Sequence, residues 1–85
     1  MNEFRRYIFL LDENGKTGLD AAWLSGTELT KDAALLRHAN RLLKMNALAV
    51  EAYVMPYYTP EMSEMMPREL GSFVKKIGRL ITFKK

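Results

Sequence analysis

The chain contains no cysteine, and His38 is the only histidine among its 85 residues. The absence of cysteine excludes disulfides, thiolate nucleophiles and cysteine-ligated metals. A lone histidine does not make a metal site, so the sequence predicts neither a metal nor an organic cofactor. Because small secreted domains usually depend on disulfides, their absence also favours a cytoplasmic protein.

Long apolar runs are also lacking. The run that begins at Tyr7 stops at Asp12, far short of the roughly 18 residues of a membrane-spanning helix. Two arginines precede it, as in a signal peptide, but the run is too short for the hydrophobic region of one. With 48% hydrophobic and 27% charged residues, the composition indicates one small globular domain over residues 1–85 rather than a disordered chain.

Acidic residues are scarce in the C-terminal segment. Residues 1–67 hold nine Asp or Glu and seven Lys or Arg, whereas Glu69 is the one acid in residues 68–85. The bases of this tail are Arg68, Lys75, Lys76, Arg79, Lys84 and Lys85. Charge concentrated at one end of a chain concerns binding partners more than fold. We therefore predict that these six residues contact a macromolecular partner or phosphate; the alternative is that they only solvate the outer face of a packed helix.

The stretch ENGKTG, residues 13–18, resembles the end of a phosphate-binding P-loop. A P-loop needs a second glycine five residues before Gly15, so that backbone N–H groups can wrap around the phosphates. That position is Leu10, which lies inside an apolar run. Asn14-Gly15 is instead a strong signal for a type I′ hairpin turn, so the stretch is predicted to be a turn.

No other pattern indicates a reaction. Lys16 occupies a ligand position in the EF-hand pattern that Asp12 would begin, which excludes that calcium site. The serines have no sequence pattern that pairs them with a base, and His38 is interpreted as a surface or boundary residue of a helix. Glu61 and Glu64 are interpreted as solubilising charges near a helix start. The sequence therefore predicts a protein that is not an enzyme.

The N-terminal half predicts a hairpin followed by a helix. Residues 6–11 are aromatic and branched, which favours a strand, and residues 17–24 are predicted to return as its partner. Residues 25–27 are interpreted as a break. Ser25 with Glu28 fits a capping box, and Thr30 is a second candidate N-cap. The helix is predicted from its apolar positions, with an end near residues 45–47; these positions are Leu35, Leu36, Ala39, Leu42 and Leu43, opposite Lys31, Arg37, Asn40, Arg41 and Lys44.

Residues 47–55 fit both a strand and a continuation of the helix. Their alternation and the Val-Tyr-Val content favour a strand, which Pro56 would end. A helical turn is predicted at residues 61–66, after Pro60. Tyr53, Tyr57 and Tyr58 either close the core or, with the surrounding methionines, form an aromatic interface.

The C-terminal segment is amphipathic from Pro67 onward. Its apolar positions predict a basic helix that continues through Ile81, while a short edge strand at Arg79–Phe83 remains the alternative. The predicted fold is small α+β: an N-terminal β-hairpin, a central amphipathic helix, one further strand and a C-terminal basic amphipathic helix, or that helix plus a strand. A mainly α fold is the alternative if residues 47–55 are helical.

These observations favour a small interaction protein that binds a macromolecular partner through the basic tail and the Tyr/Met loop. A protein partner is preferred to a nucleic acid, which would be bound through its phosphates. A membrane surface is a third possibility, and a homodimer contact remains open. Phages and mobile elements encode small cysteine-free chains of this sort as inhibitors or accessory factors, which gives one hypothesis for the role.

Overall fold

The computed structural model describes residues 5–85 and has an α+β architecture. In chain order the elements are β1 (Arg6–Asp12), β2 (Leu24–Thr27), α1 (Asp32–Met45), β3 (Ala49–Met55), α2 (Pro60–Ser63), α3 (Pro67–Ile77) and β4 (Arg79–Phe83). The strands form one antiparallel sheet in the order β2-β1-β3-β4. The α+β prediction is confirmed, and the mainly α alternative is wrong because β3 pairs with strands on both sides.

Helices cover both faces of the sheet. Alternate side chains of a strand point to opposite faces, so β1 and β3 each contribute to two apolar clusters. The cluster on the α1 face contains Ile8, Leu10, Leu35, Ala39, Leu43, Ala49, Ala52 and Val54. The cluster on the α2 and α3 face contains Phe9, Leu11, Tyr53, Met55, Met62, Leu70 and Val74. Burial on both faces explains why β1 reads as a continuous apolar run.

The predicted hairpin has the right partners but the wrong connection. β1 and β2 are antiparallel neighbours, as predicted. The turn after β1 differs from the prediction, because Gly15 is the one described residue with a positive φ, at 77°. A type I′ turn needs positive φ at Asn14 as well, so that prediction is wrong. Asp12 Oδ1 instead accepts hydrogen bonds from the backbone N–H groups of Asn14 and Lys16, both at 2.9 Å.

The second strand lies later in the chain than predicted. Residues 17–23 are not a strand because Asp20 organises a turn, with its carbonyl accepting from the N–H groups of Trp23 and Leu24. β2 then occupies the segment predicted to be a break. Glycine usually weakens a strand and often marks a place where another group approaches closely. At Gly26 a Cβ would lie 3.3 Å from the ring of Tyr7 and 2.8 Å from the guanidinium of Arg5.

The central helix begins later than both predicted caps. Lys31 is the N-cap residue and makes no side-chain capping hydrogen bond. Thr27 Oγ1 accepts instead from Leu29 N–H at 3.1 Å, within the loop that leads from β2 to α1. Asp32 lies in the first turn, where a negative charge favours the helix dipole. The predicted end is confirmed, with Asn46 as the C-cap residue.

The amphipathic pattern of the tail is divided between α3 and β4. The prediction of a helix through Ile81 is wrong, and the alternative edge strand Arg79–Phe83 is confirmed. At Gly78 the chain passes β3 so closely that a Cβ would lie 3.0 Å from the sulfur of Met55. The predicted turn at residues 61–66 is the shorter α2, where Thr59 Oγ1 accepts from Met62 N–H at 3.4 Å.

Helix α3 rests on the turn that follows β1. Thr17 N–H donates to the carbonyl of Pro67 at 3.2 Å. A Cβ on Gly71 would overlap with the carbonyl oxygen of Gly15, so glycine is required for this approach of two backbones. Among residues 5–85, no helix is both long and apolar enough to cross a bilayer.

Candidate interaction surfaces

Three of the six predicted basic contacts have partners inside the protein. Arg79 Nη2 donates to Asp32 Oδ1 at 3.2 Å, which joins β4 to the start of α1. Lys84 Nζ donates to the carbonyl of Asn46 at 2.8 Å, and Lys75 Nζ lies 4.0 Å from Glu51 Oε1. These side chains therefore link structural elements as well as carrying charge.

The remaining three basic residues are exposed but do not form one patch with the others. Arg68 and Lys76 lie on the side of α3 opposite the buried Leu70 and Val74, and Lys85 follows Lys84 after β4. Arg79 lies on the other face of the sheet, against α1. The tail that looks uniform in the sequence is thus divided between two sides of the molecule.

The three predicted interface tyrosines are mostly used by the core. Tyr53 is buried, and its burial and the adjacent carboxylate of Glu51 raise the pKa of its hydroxyl. Tyr58 packs with Tyr7 and Phe9, with ring centroids 5.9 and 6.3 Å apart. Tyr57 is the exposed member of the three. Of the neighbouring methionines, Met55 and Met62 are buried and Met66 is exposed.

Strand β4 is an open edge of the sheet with exposed apolar side chains. Leu80 and Phe83 pair with Tyr53 and Glu51, so both lie on the α3 face. Helix α3 packs mainly against β3, whereas α1 packs against β4 on the opposite face. Leu80 and Phe83 consequently remain 43% and 53% exposed. Ile81, at a β-bulge, points to the α1 cluster instead.

A third apolar side chain borders the same edge from α1. Asp32 contacts Arg79, and Asn40 accepts a hydrogen bond from Thr82 Oγ1 at 3.0 Å. Leu36 lies between them on one stripe, four residues from each, and is 40% exposed. We call β4 together with Leu36 the β4 edge surface.

The outer side of α1 carries a group of basic side chains that is separate from the basic tail. Arg37, Arg41 and Lys44 are exposed and lie opposite the buried positions Leu35 and Ala39. Residues 33–50 contain no aspartate or glutamate. The sequence shows the helical spacing of these three bases. Because residues 1–67 as a whole hold more acids than bases, a charge count over that segment does not indicate them.

The structure joins one serine to the histidine. Ser25 Oγ lies 3.2 Å from His38 Nε2, a contact between β2 and α1 that the sequence did not indicate. Partial burial and then the nearby guanidinium of Arg41 lower the pKa of His38. In the serine–histidine–aspartate triad a carboxylate stabilises the imidazolium, whereas Arg41 disfavours the charged form of His38. The contact connects β2 to α1.

The concave surfaces that border the turn after β1 are open grooves. The turn after β1 contributes to a groove of about 340 Å³, which is lined in part by Lys16, Trp23 and Leu48. Thr17 in this turn is buried and its N–H is used by Pro67, which is incompatible with a phosphate-wrapping loop. Within residues 5–85, no group of three His, Asp or Glu side chains is placed to hold a metal ion.

Comparisons with known proteins do not assign this fold to a family. No protein-family model matches the chain. No curated protein and no solved structure shows a significant match. The function must therefore be inferred from the β4 edge surface and from the basic outer side of α1.

Proposed function

We propose that this chain is a non-catalytic interaction protein whose β4 edge surface receives an extended, acidic segment of a partner protein. The observation that carries this proposal is an edge strand with Leu80 and Phe83 exposed on the face that α3 leaves uncovered. An exposed sheet edge is a template for strand addition, in which main-chain hydrogen bonds give affinity and side-chain contacts give specificity.

The other edge of the sheet is a poorer docking site. β2 has four residues and a polar sequence, Leu-Ser-Gly-Thr. The side chains of Arg5 and Tyr7 lie beside Gly26, and Arg5 Nη2 lies 3.8 Å from Glu28. β4 is longer and more apolar, so strand addition is expected there.

The backbone of β4 has hydrogen-bonding groups that point away from the sheet. Lys84 N–H donates inward to the carbonyl of Val50 at 2.7 Å. Because backbone groups alternate direction along an antiparallel strand, the N–H of Phe83 points to the open edge. Among the described residues, no strand lies beyond β4.

The apolar side chains would add to this backbone pairing. Complete burial of a leucine or phenylalanine side chain contributes about 1.5–3 kcal/mol. Leu80 and Phe83 are already about half-buried, so covering the remainder contributes about 2 kcal/mol in total. Leu36, on the α1 side of the same edge, would add a smaller contact.

The charges around β4 favour an acidic segment over a second copy of this chain. Lys84 and Lys85 directly follow the strand, and Arg79, which begins it, is paired with Asp32. Antiparallel pairing of two β4 strands would bring Arg79 of one copy near Lys84 of the other, which is unfavourable. A cytoplasmic inhibitor or accessory role of the phage type is part of this proposal and is supported by the cysteine-free composition alone.

The experiment is a selection of binding peptides from a random display library, followed by NMR mapping on the labelled protein. Bound peptides should be enriched in acidic residues and should shift the amide signals of β4 more than those of β2. Phe83→Lys should weaken binding about tenfold, whereas Leu48→Lys, a matched change at an exposed leucine outside β4, should not. Peptides that shift other elements, or equal binding by both variants, would contradict the proposal.

A further inference from the structure

We propose that the outer face of α1 is a separate phosphate-binding surface, on which Arg37, Arg41 and Lys44 contact the backbone of a nucleic acid. This inference does not depend on strand addition at β4, because the three side chains lie on the solvent side of α1. It also differs from the expectation based on the C-terminal tail, since none of the three lies within residues 68–85.

Helical geometry places the three bases in one row. They are separated by four and three residues, so they fall on the same side of the helix. At about 1.5 Å per residue, the row spans about 10 Å along the helix axis. Leu35, Ala39 and Leu43 are buried on the opposite side and hold α1 against the sheet, so the row is presented by a fixed element.

The row is not neutralised by the rest of the protein. None of the three bases forms an ion pair with another described residue. No acid lies within one helical turn of any of them. Like charges four residues apart destabilise a helix, and Arg41 also disfavours the charged form of His38, whose pKa it lowers. A bound polyanion would relieve this repulsion.

The charges beyond the end of α1 are mixed. Lys84 Nζ is held against the carbonyl of Asn46, the C-cap residue, and Lys85 follows it. The acids nearest in sequence are Asp32, which contacts Arg79, and Glu51, which lies near Lys75 on the other face of the sheet. Asp12 and Glu13 line the groove that also contains Lys84, so the bases without a neighbouring acid are the three in the row on α1.

The chemistry of the row favours phosphate over a protein or a lipid surface. The cores of protein interfaces are depleted of charge and contain aromatic or other apolar anchors, and a membrane-bound helix needs a broad apolar face. Beside the three bases, the outer side of α1 has Ala33 and Asn40, and the exposed Met45 at its end is a single large apolar side chain rather than a broad apolar face. Two of the three are arginines, whose guanidinium groups bind phosphate oxygens in a bidentate manner.

The test measures the affinity of the full chain for a short fluorescent DNA duplex over a range of salt concentrations from about 50 to 200 mM. The first variant combines Arg37→Gln, Arg41→Gln and Lys44→Gln. The matched control combines Arg68→Gln, Lys75→Gln and Lys76→Gln, which removes the same charge from exposed residues of α3 on the other face of the sheet. Circular dichroism melting checks that both variants fold as the wild type does.

The wild type should bind, with log K falling as log salt rises. The α1 variant should lose at least about tenfold in affinity, and its salt slope should decrease by about 2.7, the value for three lost phosphate contacts on duplex DNA. The control variant should keep most of the wild-type affinity and most of the wild-type salt slope. Equal losses in the two variants, a loss confined to the control, or no wild-type binding at low salt would overturn the proposal. Binding of the α1 row to acidic peptides or anionic vesicles in place of DNA would also overturn it.

Discussion

Replacement of Gly71 by alanine reverses the sign that helix propensity alone would give. Gly71 lies within α3, where alanine is favoured over glycine by about 1 kcal/mol in an exposed helix. In the folded protein, the added methyl group would overlap with the carbonyl oxygen of Gly15. The position of the methyl group is set by the backbone of α3 and that of the carbonyl by the backbone of the turn, so the contact can be relieved only by moving α3 away from the turn.

We expect Gly71→Ala to lower the free energy of unfolding by about 1–3 kcal/mol, the usual cost of overpacking. The loss should be visible in urea denaturation followed by circular dichroism. Ser72→Ala is the matched control, because Ser72 is the exposed neighbour on the same helix. It should leave the stability unchanged or raise it slightly. A Gly71→Ala protein that is more stable than the wild type would refute the close contact between α3 and the turn.

Two further predictions concern α1. Leu35→Ala should lower the free energy of unfolding by about 2–5 kcal/mol because Leu35 is buried. Leu36→Ala, at its exposed neighbour, should lower it by less than about 1 kcal/mol. Similar losses for the two variants in urea titrations would show that the buried side of α1 is assigned wrongly. The pKa of His38 is lowered by folding, so the unfolded chain binds the proton more readily and stability should fall as the pH drops below about 6.5. His38→Gln should remove the change between about pH 7 and pH 5, above the range in which most carboxylates titrate; an unchanged pH dependence in this variant would contradict the assignment.

Local patterns in the sequence were sufficient for the elements that have one consistent periodicity. The apolar run of β1 and the leucine spacing of α1 predict the element type and most of the bounds. Residues 47–55 fitted both a helix and a strand, and only their β-branched and aromatic content favoured the strand that β3 forms. The Asp12–Gly15 turn was located by its composition, although not its geometry. The turn type depended on hydrogen bonds to Asp12 Oδ1, which no short motif specifies.

The elements that were wrong are those whose local signals compete with tertiary contacts. Residues 25–27 look like a break, yet they form β2 because β1 offers an unpaired edge. The spacing from Leu70 to Ile81 fits one helix, yet the chain leaves it at Gly78 because β3 provides a hydrogen-bonding partner for Arg79–Phe83. Pairing energy with a distant strand cannot be read from residues in the same segment.

The sequence by itself determined that this chain combines strands with amphipathic helices, that it has neither cysteine chemistry nor a P-loop, and that its tail is basic. Only the tertiary structure decided which charges and apolar side chains remain available. It uses Arg79 and Lys84 to connect elements, buries Tyr53, and leaves Leu80, Phe83 and the α1 row exposed. The reason is physical: a charge or an apolar side chain contributes to binding according to what surrounds it, and those surroundings are set by contacts between residues far apart in the chain.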